Sequence, residues 1–227
     1  MAGEQRRRED DLRREVVQVC RLMYRRGLIA ATDGNVSVRV GAGLLLTTPS
    51  GLCKGLLEEG DLVVTDMEGR VVEGRSRPGL RPSAEIRMHL EIYRQRPDVC
   101  AVVHAHPPVA TALVTIGTIV TTAYATPTSA RVPEVVREPI RSHDALVLDR
   151  HGAVTVGRSV LEAYARMEKV ENTAQVLATA RMLGRVQILP LDEIRVLVAA
   201  RREHVGDPAR ALPDCRACGA CEGLDDV

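Results

Sequence analysis

In the run Val99-Cys100-Ala101-Val102-Val103-His104-Ala105-His106-Pro107, an apolar, β-branched segment ends in two histidines one residue apart. Such a segment reads as a strand, and alternate residues of a strand share a face, so both imidazoles project to one side. That is a metal-binding geometry. Divalent zinc takes three or four N, O or S donors, so one or two partners from elsewhere would complete the set. The candidates are Glu85 and His151, and if both join, three distant segments of chain must converge on one point.

Each partner also has a plain structural reading. Glu85 in Pro82-Ser83-Ala84-Glu85 suits the first turn of a helix capped by Ser83, where a carboxylate complements the dipole. His151 follows the apolar strand Ala145-Leu146-Val147-Leu148 and precedes Gly152, which suggests a turn. What joins them is position. All lie where a strand ends or a helix begins, the places where α/β and α+β folds put their chemistry.

A chain of 227 residues that is 45% hydrophobic can bury one substantial core, and a single domain is expected. The formal net charge of +1 and the interspersed charges argue against a nucleic-acid partner. Arg6-Arg7-Arg8 is followed at once by Glu9-Asp10-Asp11 and reads as a solvated terminus. No apolar run is long enough to span a bilayer and the N-terminus lacks the apolar core of a signal peptide, so no membrane partner and a cytoplasmic location are expected. Phe and Trp are absent, so Leu, Val, Ile and Ala must fill the core.

The six cysteines fall into two groups. Cys20, Cys53 and Cys100 lie singly and read as small hydrophobes. Cys215, Cys218 and Cys221 form a CxxCxxC cluster in the tail, where three thiols could hold zinc or part of an iron–sulfur cluster or be simply redox-sensitive; no fourth ligand is evident, His204 being the only nearby His.

Periodicity predicts a helix over Asp10 to Arg26 stopped by Gly27, then the turn Ala31-Thr32-Asp33-Gly34-Asn35 and a hairpin of Val36 to Val40 with Leu44 to Thr47. Short strands are expected at Leu62 to Thr65 and Arg70 to Glu73. A helix over Ala84 to Arg94 leads to the His-bearing strand. Beyond Pro107-Pro108 come a short helix, a strand near Ile119 to Thr122, a helix over Val132 to Arg141, strands at Ala145 to Leu148 and Ala153 to Val156, and helices over Ser159 to Leu183 and Asp192 to His204. Without a strict βαβ rhythm, this reads as a three-layer α/β arrangement around a mixed, mostly antiparallel sheet.

Gly34-Asn35 and Ser50-Gly51 place small residues in turns whose N–H groups could form a concave anion site, and Ser83 at a helix N-terminus favours an anion too. Together, Gly34-Asn35-Val36-Ser37-Val38-Arg39, Thr48-Pro49-Ser50-Gly51, Pro82-Ser83-Ala84-Glu85, His104-Ala105-His106 and His151-Gly152 resemble the class II aldolase/adducin family over about Leu12 to Leu197.

The resemblance implies a three-layer α/β/α sandwich, with residues 1–205 as one class II aldolase-like domain and 206–227 as a Cys-containing tail. It implies a zinc ion, or another divalent metal, held by His104, His106 and His151, with Glu85 as a fourth ligand that is released to act as general base. Gly34, Asn35, Ser50, Gly51 and Ser83 match positions that cradle the phosphate of dihydroxyacetone phosphate. The implied partners are a small-molecule sugar phosphate and other copies of the chain, in a homotetramer with active sites between subunits. The implied activity is aldehyde-lyase cleavage of a sugar 1-phosphate such as L-fuculose 1-phosphate through a metal-stabilised enediolate. A family decarboxylase keeps the same metal set, an epimerase on ribulose 5-phosphate would be expected to carry Asp in place of Glu85, and an adducin-like module would have no need of metal or base.

Two departures bear on the substrate. Ala84 stands where the aldolases usually have a second serine. The interval from His106 to His151 is also shorter, the shortfall falling around Leu113 to Gly117, where the aldolases carry a Tyr that protonates the aldehyde oxygen. Ile116-Gly117-Thr118-Ile119 reads as the two edges of a cut loop, and Tyr124 is expected to pack or meet a neighbour rather than replace that Tyr.

Overall fold

The computed structural model describes residues 2–41, 43–115, 121–187 and 189–205. Six strands, β1 (Asn35–Arg39), β2 (Leu44–Thr47), β3 (Val63–Asp66), β4 (Ala101–Ala105), β5 (Ala145–Leu148) and β6 (Gly152–Gly157), form one sheet in the order β3-β2-β1-β4-β6-β5. Every pairing in it is antiparallel, so the parallel component of the expected mixed sheet is not found among the described residues. The helices are α1 (Ala2–Arg25), α2 (Ile86–Gln95), α3 (Pro108–Thr115), α4 (Arg131–Arg137), α5 (Val160–Leu183) and α6 (Leu191–Val205). None is long and apolar enough to cross a membrane.

Strand alternation divides the core in two. Val36, Val38, Leu46, Val64, Ala101, Val103 and Ala105 pack on one face with Val16, Val19 and Met23 of α1 and Val160, Ala163 and Met167 of α5. Leu45, Val102, Val154 and Val156 pack on the other with Met88, Ile92 and Tyr93 of α2 and Val132 and Val136 of α4. This is the α/β/α sandwich. With no Phe or Trp, methionine supplies the bulk that the aliphatics cannot: Met23, Met88 and Met167 are among the largest fully buried side chains, beside Tyr93. Cys20 is buried too, and burial pushes its thiol up to about 12, which keeps it an inert hydrophobe.

Most expected elements are present, with boundary shifts that have local causes. The helix expected over Val132 to Arg141 ends at Arg137 and resumes as a 3₁₀ turn at Pro139–Arg141, because Pro139 has no N–H to continue the ladder. The strand expected at Arg70 to Glu73 is reduced to one bridge, Thr65 to Val71, since Asp66 accepts from the N–H groups of Glu68 and Arg70 and closes the turn early. Of the strand expected near Ile119, Thr121 and Thr122 are irregular and the rest lies outside the described residues, as does the tail with Cys215, Cys218 and Cys221.

Candidate active site

Register brings the first pieces together. On the α2 face of the sheet, Asn35 of β1 stands opposite His104 of β4. His106 lies just past the end of β4, its N–H held by the Leu28 carbonyl at 3.0 Å. His151 occupies the three-residue connection between β5 and β6, next to the Leu148–Gly152 pair. Glu85 comes from the other layer. The helix expected from Ala84 starts at Ile86 instead, because Ser83 to Ile86 close a turn and Glu85 takes the N-cap place without capping. Its carboxylate is thereby free to face the imidazoles.

One ligating atom from each of Glu85, His104, His106 and His151 lies within 4.8 Å of all the others. Glu85 Oε2 is 3.2 Å from His104 Nε2, Oε1 is 2.9 Å from His151 Nε2, and the Nε2 atoms of His104 and His106 are 3.1 Å apart. Zinc–nitrogen bonds of about 2.0–2.1 Å put neighbouring tetrahedral donors roughly 3.3 Å apart, so these are coordination-shell spacings.

The proton inventory makes the same point. His104 Nδ1 is 2.9 Å from the Ala153 carbonyl, which only accepts, so the ring proton sits on Nδ1 and Nε2 presents a lone pair. His106 Nδ1 faces the Asp33 carboxylate at 3.5 Å, which leaves its Nε2 as a second inward lone pair. Burial, reinforced by His104 and His151, lowers His106 to about 4, so it is neutral near pH 7. Glu85 Oε1 is buried, with His151 Nε2 at 2.9 Å but not aligned as a regular hydrogen bond. Burial alone would raise the Glu85 carboxyl, but His104 and His151 outweigh it and hold the group below the usual carboxylate range. Ligand atoms gathered at these spacings suit a cation between them. The residues therefore fit a divalent metal ion, with Ala153 O and Asp33 orienting the rings from behind.

Gly34 and Gly152 make this closeness possible. A Cβ on Gly34, whose φ is +69°, would lie 2.5 Å from Ile29 Cγ2 and 3.0 Å from the His104 carbonyl. One on Gly152 would lie 2.3 Å from the Ala105 carbonyl and 2.8 Å from His106 Cδ2.

The other sequence-singled residues surround this point unevenly. Asn35 Nδ2 donates to Glu85 Oε2 at 2.9 Å, so its amide serves the carboxylate here. Ser83 Oγ accepts from the Glu85 N–H at 3.3 Å. Ser50 and Gly51 are exposed and touch none of the four, but Ser50 N donates to Arg81 O and Ser83 N to Thr48 O, which lays their loop alongside the segment leading to Glu85. Sequence reasoning passed over Lys54, which is buried and donates to Thr32 O at 2.7 Å and Leu52 O at 2.8 Å. It pins the turn bearing Asp33, Gly34 and Asn35 to that same loop. Its only signal was a lysine among apolar neighbours, which a sequence cannot distinguish from a surface one.

A three-layer sandwich with a His3Glu cluster at the strand ends is an arrangement compatible with a divalent metal. The chain belongs to the class II aldolase and adducin N-terminal domain family, whose model matches residues 14–178, and the members that it resembles are lyases. It is 34% identical over 177 residues to an L-fuculose phosphate aldolase of Methanococcus maripaludis, covering 71% of this chain and 93% of that one. It is also 34% identical over 203 residues to a 5-methylthioribulose-1-phosphate/5-deoxyribulose-1-phosphate aldolase of Rhodospirillum rubrum, covering 82% and 89%. Among solved structures, an L-fuculose 1-phosphate aldolase superposes with a TM-score of 0.74 at 28% identity, covering 84% and 95%.

Proposed function

We propose that this chain is a zinc-dependent aldolase that cleaves a ketose 1-phosphate, such as L-fuculose 1-phosphate or a 5-deoxypentulose 1-phosphate, to dihydroxyacetone phosphate and an aldehyde. The observation that carries the reading is the convergence of one ligand atom each from His104, His106, His151 and Glu85. His104, His106 and His151 would hold the ion, with Glu85 as a displaceable fourth donor. A bound divalent cation supplies Lewis-acid stabilisation of negative charge developing on the ketose oxygens.

Glu85 is the base. On substrate arrival it would leave the ligand set and become free to take a proton. It takes the proton of the hydroxyl β to the ketone. The bond between the α and β carbons then breaks, the β carbon becomes the aldehyde carbon, and the electron pair stays on the dihydroxyacetone phosphate half as an enediolate that is then protonated. Gly34, Asn35, Ser50, Gly51 and Ser83 line the phosphate end in this reading; Ala84 contributes no hydroxyl, so Ser50, Ser83 and turn N–H groups carry the load.

The enzyme is read as a cytoplasmic homotetramer with sites at subunit boundaries. The tetramer rests on the family resemblance. A panel of ketose 1-phosphates incubated with zinc-loaded protein, with dihydroxyacetone phosphate release as readout, is the test. Release from at least one member is expected. No release from any, with zinc bound, overturns the assignment.

A further inference from the structure

Behind the cluster, β1 and α2 form a polar seam in an otherwise aliphatic layer. Asn35, Ser37 and Arg39 share one face of β1, about 6.7 Å apart, and Glu85 at the N-cap of α2 is followed at four-residue intervals by His89 and Tyr93, about 6.0 Å apart along a helix. The two repeats run together. Asn35 Nδ2 donates to Glu85 Oε2, Ser37 Oγ is 2.7 Å from His89 Nδ1 and 2.9 Å from the Tyr93 hydroxyl, and Arg39 Nη2 donates to Tyr93 O with its guanidinium 4.6 Å from the ring centroid. Among the described residues three atoms of this seam lack a hydrogen-bond partner: Glu85 Oε1, which faces the imidazoles, and His89 Nε2 and Asn35 Oδ1, which do not. His89 and Asn35 are buried, at 1% and 2% exposure, where an unmatched polar group is unfavourable.

Hydrogen-bond direction makes the two atoms complementary. Only the NH₂ end of Asn35 can face a carboxylate, so Oδ1 is an acceptor turned away from Glu85. The Tyr93 hydroxyl reaches the Cys100 carbonyl at 3.4 Å and Ser37 Oγ at the shorter 2.9 Å; with its proton chiefly on the shorter contact, Ser37 donates to His89 Nδ1 and the ring proton is left on Nε2. Donor and acceptor belong to neighbouring rungs of one seam. Burial lowers His89 to about 3, which agrees with a neutral ring.

We propose that His89 is a positioning residue for Glu85: its Nε2–H reaches Asn35 Oδ1 through one internal water, fixing the amide that in turn holds Glu85 Oε2. The catalytic part of this inference rests on the aldolase reading; the hydrogen-bond part does not. The seam lets Glu85 leave the imidazoles without losing its aim, because Asn35 keeps hold of one oxygen.

Two measurements test it. In zinc-loaded protein labelled with ¹⁵N-histidine, ring nitrogen shifts should show His89 neutral with its proton on Nε2, and Asn35→Ala should change that Nε2–H resonance and speed its exchange with solvent. A proton on Nδ1, or a resonance untouched by Asn35→Ala, overturns the proposal whether or not the protein is an aldolase. In kinetics on a substrate the wild type cleaves, His89→Phe should lower kcat about 10–100-fold with KM, zinc content and Tm nearly unchanged, and His89→Gln, which keeps an N–H, should recover part of it. Equal losses in the two variants, or a loss that tracks zinc content or Tm, overturn it. A wild type without turnover condemns the aldolase reading alone, and the resonance measurement still decides the seam.

Discussion

Acidification of the metal-free protein should unfold it through two histidines that the fold keeps neutral. Burial lowers His89 to about 3 and His106 to about 4 from an ordinary value of 6.5. The sign follows from proton uptake. Above pH 6.5 neither state binds these protons; below it the unfolded chain takes up both while the native protein takes up neither, so stability falls as pH falls. Each proton costs about 1.4 kcal/mol per pH unit in this window. Between pH 7 and pH 5 each histidine accounts for about 2 kcal/mol, less for His106, whose side chain is 31% exposed, giving about 3–4 kcal/mol together. Glu85, held below the usual carboxylate range, stays ionised throughout and adds nothing. Urea titrations of chelator-treated protein at the two pH values measure the difference, and His89→Gln, which cannot titrate, should cut the fall by about half. A stability that is flat or rises on going to pH 5, or a His89→Gln variant with the full wild-type dependence, would refute the reasoning.

Glu85→Gln should keep some zinc, since three imidazoles remain, but lower kcat by about 10²–10⁴-fold; turnover close to wild type removes Glu85 as base. His104→Ala, deleting the ring at the centre of the cluster, should abolish both bound zinc, measured by mass spectrometry after dialysis, and activity. Gly152→Ala should cost roughly 1–3 kcal/mol in urea and weaken zinc binding, because its Cβ has only the Ala105 carbonyl and His106 to push against; unchanged values for both would mean that β4 and β6 part without cost. Ser159→Ala should cost about 1 kcal/mol, as Ser159 Oγ accepts from the Glu162 N–H at the start of α5.

The parts of this protein that were legible in its sequence are those governed by a local period or a local stop. Alternation along β1, β2 and β4 told which residues share a face, and so put His104 on the side away from Val103 before any partner was known. Gly27 and Ser159 marked helix ends because caps act within one turn. What stayed hidden depends on two periods meeting across space. Asn35, expected among the phosphate-cradling residues, also donates to Glu85, and His89 and Tyr93, within the helix expected over Ala84 to Arg94, are rungs of the same seam. Neither period alone announces this. A four-residue helical step and a two-residue strand step differ by less than 1 Å, so a helix laid along a strand can keep polar residues in register for three rungs. That near-match gives a test that can be applied to a sequence without a structure: polar residues at i, i+2 and i+4 of a strand, with polar residues at j, j+4 and j+8 of the helix covering it, mark a buried network rather than two solvated faces. Here the network ends on the carboxylate that the proposed chemistry needs, so a packing rule and a functional one fall on the same residues.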